Sequence, residues 1–438
     1  VKGQGGMVTR SGRPAGMSEQ QWREAIRFTG DDWGWVIMSI GMAIGAGIVF
    51  LPVQVGLSGL WVFLLSSAVG YPSMYLFQRL FVNTLADSRQ CSDYPGVITS
   101  YLGKNWGIGL GMLYFAMLLI WVFVYAEAIT NDSASFIHTF GWSRELLNND
   151  PLYGLGLIIF LVAIASRGEK LLFRVATFLV LTKLCVVAFL GAAMVPSWSL
   201  ANVAALPPLG ELLKKAVIML PFTLTSILFL QSLSPMVISF RAKSDSIEVA
   251  RYRAMRAMNI AFGILFVTVF FYAVSFTLAM GHDAAVRASK ENISALAMVA
   301  SMMTSSGGGH SMVVQVLSLI LNIFAVMTAF FSVFLGFSEA CRGIAMNLLR
   351  RAMPEERIRD TLVGRAILVF TVLLAWWAVL QDFPVLAFTS ICSPIFALIG
   401  CLIPAYLVYR VPELHRYKGA ALYIIIAAGM LLFISPFL

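Results

Sequence analysis

Lys183 sits inside the apolar run Leu179-Val-Leu-Thr-Lys183-Leu-Cys-Val-Val187. It lies 12 residues from Leu171, where that run begins. At 1.5 Å per helical residue this is roughly 18 Å. A lysine stem cannot carry its charge back to the headgroups from that depth. A charge at the centre of a bilayer is costly, and by default it marks a functional residue. Desolvation disfavours the charged form of an amine, which opens a proton-binding role. The other reading is structural: an ammonium that donates to the carbonyls of an interrupted helix and never changes.

An interrupted helix is available. Gly41-Met-Ala43-Ile44-Gly45-Ala46-Gly47-Ile is followed by Pro52. Glycine weakens a helix by roughly 1 kcal/mol per residue relative to alanine. Broken helix at membrane depth is tolerated where it lines a cavity or is buried in protein. The N–H groups opening the second half would hold a carboxylate. The carbonyls ending the first half would hold an ammonium. A zwitterionic amino acid needs both. Gly41 and Gly45 also form a small-xxx-small packing motif, so close helix contact is an equal reading. A second interruption is expected at Phe229-Leu230-Gln231-Ser232-Leu233-Ser234-Pro235, where polar residues precede a proline that cannot donate its N–H. Paired interruptions in matching halves point to the substrate site of an inverted-repeat transporter.

Other residues carry weaker signals. Glu127, near the far end of the third apolar run with Asp132 beyond it, reads either as an interfacial carboxylate or as a proton-handling group. Thr328 and Ser332, one turn apart in the eighth run, read as ligands to substrate or ion, or as bonded to their own helix. Glu339 and Arg342 have ion-pair spacing. His138, His282, His310 and His415 all fall in expected loops, so no intramembrane histidine relay is expected. There is no HExxH and no GxxxxGK[ST]. Gly56-Leu-Ser58-Gly59 is faintly similar to an intramembrane serine protease motif but reads better as a tight turn. No enzyme is expected.

These residues must be positioned by membrane helices. Of 438 residues, 59% are hydrophobic and 12% charged, against roughly 25% charged in soluble domains. The apolar residues come in continuous blocks long enough to cross about 30 Å of hydrocarbon as helices. The fold class is therefore an all-α polytopic bundle. Eleven spans are read: 33–55, 59–81, 106–129, 152–165, 171–195, 214–239, 258–280, 312–337, 363–380, 384–408 and 420–437. Residues 1–30 form a polar tail, and 31–438 form one transporter domain with inverted repeats at about 33–195 and 214–408. With the N-terminus in the cytoplasm, 25 of the 31 Lys and Arg lie on the cytoplasmic side and 5 outside. This positive-inside bias orients the chain and places its C-terminus in the periplasm. It also assigns the net charge of +9 to lipid headgroups rather than nucleic acid. Residues 245–256 read as a basic amphipathic helix on the membrane surface, and 282–303 as an outer helix that is either a lid or interfacial. The five cysteines form no CxxC pair, so no disulfide and no metal site are expected. No cleavable signal peptide is read in the polar N-terminus.

The run from Gly41 to Pro52 resembles the first span of the amino acid/polyamine/organocation superfamily, and most of all the bacterial hydroxy/aromatic amino acid permeases, serine/threonine branch. Ser234-Pro235-Met-Val-Ile-Ser239, Phe334-Leu-Gly-Phe-Ser-Glu339, Ser393-Pro394-Ile-Phe396 and Leu402-Ile-Pro404-Ala405 are similar in order and spacing. The resemblance implies a 5+5 inverted fold with helices 1 and 6 broken, plus one extra helix. It implies that the backbone of Ala43, Ile44, Gly45, Ala46 and Gly47, and of Leu230, Gln231, Ser232, Leu233 and Ser234, holds the substrate's charged ends. In proton-coupled relatives of this fold, a fifth-helix lysine stands where sodium-coupled ones hold the ion, and Lys183 lies at a matching depth.

The expected function is proton-coupled import of serine, threonine or cysteine across a bacterial inner membrane. Lys183 would carry the proton, with Glu127 as a secondary candidate, and Thr328 would join the substrate-binding residues. No cofactor beyond the coupling proton, no nucleic acid and no obligate protein partner are expected. The rivals are a sodium-coupled permease, an aromatic amino acid permease and a sensor that binds without transporting.

Overall fold

The computed structural model describes Pro14 and residues 16–88, 94–166, 169–203, 205–244, 246–298, 311–352 and 359–438. Helix α1 (Glu19–Ala25) opens on a capping box, in which Ser18 and Gln21 exchange side-chain and backbone hydrogen bonds. Helix α2 (Gly30–Ala43) opens on a second box, Thr29 with Asp32. There follow α3 (Ala46–Ser58), α4 (Leu60–Ala86), α5 (Tyr94–Leu102), α6 (Lys104–Thr139), α7 (Pro151–Ala165), α8 (Glu169–Ala193), α9 (Leu209–Thr225), α10 (Leu230–Lys243) and α11 (Ile247–Lys290). The chain ends with α12 (Ser311–Ala352), α13 (Asp360–Leu380), α14 (Val385–Phe396), a π-helical turn (Ala397–Leu402), α15 (Ile403–Arg410) and α16 (Ala420–Ile434).

Among the described residues, eight helices are long and apolar enough to cross a membrane, and α7 is a shorter apolar one. Two further spans are each made of half-helices, α2 with α3 and α9 with α10, which brings the spans to eleven. The chain is a multi-pass membrane protein with its first and sixth spans broken. Large apolar side chains such as Phe160, Phe178, Val369 and Leu373 stand exposed on the bundle surface, as a hydrocarbon surround requires.

Several elements run longer than the apolar pattern suggests. Helix α6 continues to Thr139, so Glu127 and Asp132 lie within it rather than at its end. Polar residues extend the helix because they are buried among protein partners: Glu127 is 2% exposed and Asp132 0%. The interfacial position expected for them is not what forms. Helix α12 runs to Ala352, well past Phe337. The surface helix expected at 245–256 is the first part of α11, capped by Ser246, and Asp245 lies outside the described residues. Its arginines are drawn inward by Asp32 instead of lying on headgroups. Helix α11 also runs past a kink at Gly281 (φ 72°) to Lys290. His138 and His282 therefore sit in helical extensions, not loops. The outer helix read at 282–303 falls partly outside the described residues, as do Cys91 and His310, and the Glu339 side chain is likewise outside them.

Candidate functional site

Helix α2 stops at Ala43, and Ile44 (φ −77°, ψ 78°) and Gly45 (φ −130°, ψ −150°) leave helical geometry before α3 begins. Crowding explains the glycines. A Cβ on Gly45 would lie 2.9 Å from both the Ala329 Cβ and the Tyr125 hydroxyl. One on Gly41 would lie 2.4 Å from Val180 Cγ2. The same glycines thus permit the interruption and the close approach of α6, α8 and α12.

Lys183, on α8, is fully buried. Its Nζ donates to the carbonyl of Ile44 at 2.8 Å, to that of Gly41 at 3.2 Å and to Thr328 Oγ1 at 2.6 Å. Thr328 passes its own proton to the Phe324 carbonyl at 2.7 Å, so its lone pair is what faces the nitrogen. An ammonium has three N–H donors, and here it meets three acceptors. Thr328 bonds its own helix and Lys183 together. The Ser332 side chain lies outside the described residues.

The second interruption is Ser226–Phe229, upstream of the expected site. Leu230, Gln231, Ser232, Leu233 and Ser234 are already the first turns of α10. Pro235 is the sixth residue of α10, inside the helix, where its missing N–H withholds the usual donor from the Gln231 carbonyl. The break itself contains neither Gly nor Pro. It is held by Ser226 Oγ on the Thr223 carbonyl at 2.6 Å and Ser232 Oγ on the Phe229 carbonyl at 2.8 Å. Ser39 Oγ and Ser232 Oγ are 2.9 Å apart, which ties the two broken spans together. Beside them, a Cβ on Gly400 of the π-turn would meet Phe77 at 3.3 Å and Leu230 at 3.7 Å. π-turns recur at functional sites.

Two features follow for ligand chemistry. The start of α3, at Ala46 and Gly47, presents backbone N–H groups that the helix ladder does not use, beside its positive dipole end. The carbonyls of Gly41 and Ile44 are taken by Lys183, and that of Ala43 accepts the Gly45 N–H at 2.9 Å. An ammonium ligand would therefore turn to the carbonyls of Ile227 and Leu228, which lie between α9 and α10.

The carboxylates of α6 behave differently. Asp132 accepts from the Ser294 backbone N–H at 2.8 Å and from Asn322 Nδ2, and Asn322 also donates to Ser294 Oγ at 2.8 Å. It fastens α12 to the segment after α11. Glu127 accepts from Asn131 Nδ2 at 2.9 Å, and the side chain of Asp382 stands beside its carboxyl. At the opposite end of the bundle, Asp32 receives Arg253 at 2.6 Å and Arg256 at 2.9 Å. Burial would raise its carboxyl, but hydrogen bonds from Arg253, Thr29 and Arg256 prevail and hold it well below the usual range. An apolar cavity of about 460 Å³ between α4 and α11, lined by residues such as Tyr71 and Phe266, touches neither break.

Reasoning from sequence alone missed Tyr125, Ser39, Ile227 and Leu228. Tyr125 and Trp121 are spaced as ordinary core aromatics, and a break without Gly or Pro leaves no compositional mark.

No family model matches the chain. It is 68% identical over 98% of its length, and 96% of the relative's, to a probable serine transporter of Escherichia coli strain K12. It is 23% identical to the threonine/serine transporter TdcC of Yersinia enterocolitica, covering 91% of each chain. The fold is similar to that of MhsT, solved in complex with L-phenylalanine, with a TM-score of 0.59 and 16% identity over 92% of this chain and 98% of that one.

Proposed function

The chain belongs to the hydroxy amino acid permease family that includes bacterial serine transporters, and on that premise we propose that it imports serine together with a proton carried by Lys183. It is an amino acid transporter, not an enzyme. The observation that carries the proton reading is the trio of acceptors around Lys183 Nζ: Gly41 O, Ile44 O and Thr328 Oγ1.

The cycle follows from counting donors. With its proton, Lys183 satisfies all three oxygens and fastens the broken first span to α8 and α12. Without it, one N–H becomes a lone pair and faces an acceptor. A buried acceptor left without a donor is costly. The first half-helix is then released to move, and the substrate leaves with the proton. The same oxygens would suit sodium, but an ammonium already fills them, which favours the proton. Serine's carboxylate would rest on the N–H groups of Ala46 and Gly47, and its ammonium on the carbonyls of Ile227 and Leu228. The first, second, sixth and seventh spans would rock against the remainder around this site. The basic end of the chain would face the cytoplasm of the inner membrane.

The test is labelled L-serine uptake into proteoliposomes with an inward proton gradient and no sodium. Concentrative uptake that collapses with a protonophore is expected. Uptake that needs a sodium gradient and ignores pH would replace the proton with sodium. Binding by thermal shift without any flux would make the protein a sensor. Competition by excess tryptophan or tyrosine, and none by threonine, would make it an aromatic permease.

A further inference from the structure

The Trp121 ring is 6% exposed, and its Nε1 is buried with no hydrogen-bond partner among the described residues. A buried tryptophan normally finds a partner for this N–H. The exception stands in a particular place. One face of the indole stacks on Tyr125, with centroids 5.4 Å apart. The Tyr125 hydroxyl is what crowds Gly45 at the first break. On another side lies Phe396, at 6.2 Å. Phe396 leads directly into the π-turn whose Gly400 packs on Leu230, the first residue after the second break. Trp121 thus links the elements that close on both breaks.

In the proposed site the charged ends of an amino acid would be met by backbone groups at those breaks, which every amino acid would satisfy equally. Discrimination must come from a side chain. A hydroxyl is both acceptor and donor, and Trp121 offers one unused donor. We propose that the Trp121 indole N–H donates to the substrate's side-chain hydroxyl and sets the preference for hydroxy over plain aliphatic amino acids. This rests on the serine reading above. Alanine, which lacks the hydroxyl, would leave the N–H without a partner. A site that hydrogen-bonds a substrate hydroxyl discriminates against the analogue lacking it for that reason.

The experiment compares KM and kcat for L-serine and L-alanine in proteoliposomes holding the unsubstituted protein, Trp121→Phe, and Trp121→3-benzothienylalanine. The last keeps the bicyclic shape and replaces N–H by sulfur, so it separates the hydrogen bond from packing. The expected result is a serine KM raised roughly 3- to 10-fold, the size of a neutral hydrogen bond, with the alanine KM unchanged. An unchanged serine-to-alanine preference in the benzothienyl variant overturns the assignment. So does an equal rise in both KM values, which is the signature of packing. If the unsubstituted protein takes up no serine, the transport reading itself fails, and this inference with it.

Discussion

The Lys183 ammonium nitrogen stands 2.8 Å from the carbonyl oxygen of Ile44, the residue at which the first span ceases to be helical. One side chain on α8 therefore does what the next turn of α2 would have done. The interruption is stable because its orphaned carbonyls have a donor. Under the proposed function it is also switchable, because that donor would be the proton carrier.

Thr328 supplies the third acceptor at 2.6 Å. Thr328→Val removes it without changing shape much, while Thr328→Ser keeps it. A hydrogen bond to a charged group contributes roughly 1.5–3 kcal/mol. Proton-driven uptake should fall about tenfold or more in the valine variant and stay within about threefold of the unsubstituted rate in the serine variant. Equal rates in the two variants would remove Thr328 from the coupling site.

Gly41→Ala would drive its Cβ to 2.4 Å from Val180 Cγ2. Overpacking of this kind destabilises by roughly 1–3 kcal/mol. Gly41→Ala should lower the midpoint of thermal unfolding in detergent, and Val180→Ala in the same chain should recover most of the loss. A double variant no more stable than the single one would show that the glycine is needed for something other than this contact.

Asp132 accepts from the Ser294 N–H and from Asn322 Nδ2. Asp132→Asn sets one amide donor against another. Backbone deuterium exchange over residues 294–298 should rise, and the exchanged pair Asp132→Asn with Asn322→Asp should bring it back down. Exchange that does not respond to Asp132→Asn would mean that the carboxylate does not fasten this segment.

Asp32 is held well below the usual carboxyl range by Arg253, Thr29 and Arg256, against its burial. A carboxyl lowered on folding stabilises the fold above its ordinary value of about 4. That contribution is lost as pH falls through the lowered value. Solubilised protein should lose thermal stability between about pH 5 and pH 3, and Asp32→Asn should lose less across the same interval. Parallel losses would place the acid sensitivity elsewhere.

What the sequence made legible is what apolar length and charge placement determine. The spans, the weak first helix around Gly45 and the depth of Lys183 all follow from counting along the chain. What it did not make legible is decided by contacts between spans. The second interruption at Ser226–Phe229 has no Gly or Pro to mark it, and the nearby Pro235 drew the expectation four residues too far along. The arginines of α11 read as lipid-facing because their partner, Asp32, lies more than two hundred residues earlier. Asp132 read as interfacial because its partners, Ser294 and Asn322, come from distant segments. The expectation of serine came only through family resemblance, since backbone groups at a helix break do not distinguish one amino acid from another.

The most direct test places Lys183→Gln beside the unsubstituted protein in proteoliposomes and measures two modes of serine movement. One is accumulation driven by an inward proton gradient, and the other is exchange of labelled for unlabelled serine without any gradient. Glutamine keeps two N–H donors for the carbonyls of Gly41 and Ile44 but takes up no proton. The account predicts that gradient-driven accumulation disappears in Lys183→Gln while exchange continues. Accumulation that persists at the unsubstituted level and still collapses with a protonophore would contradict it, and would move the proton site away from Lys183.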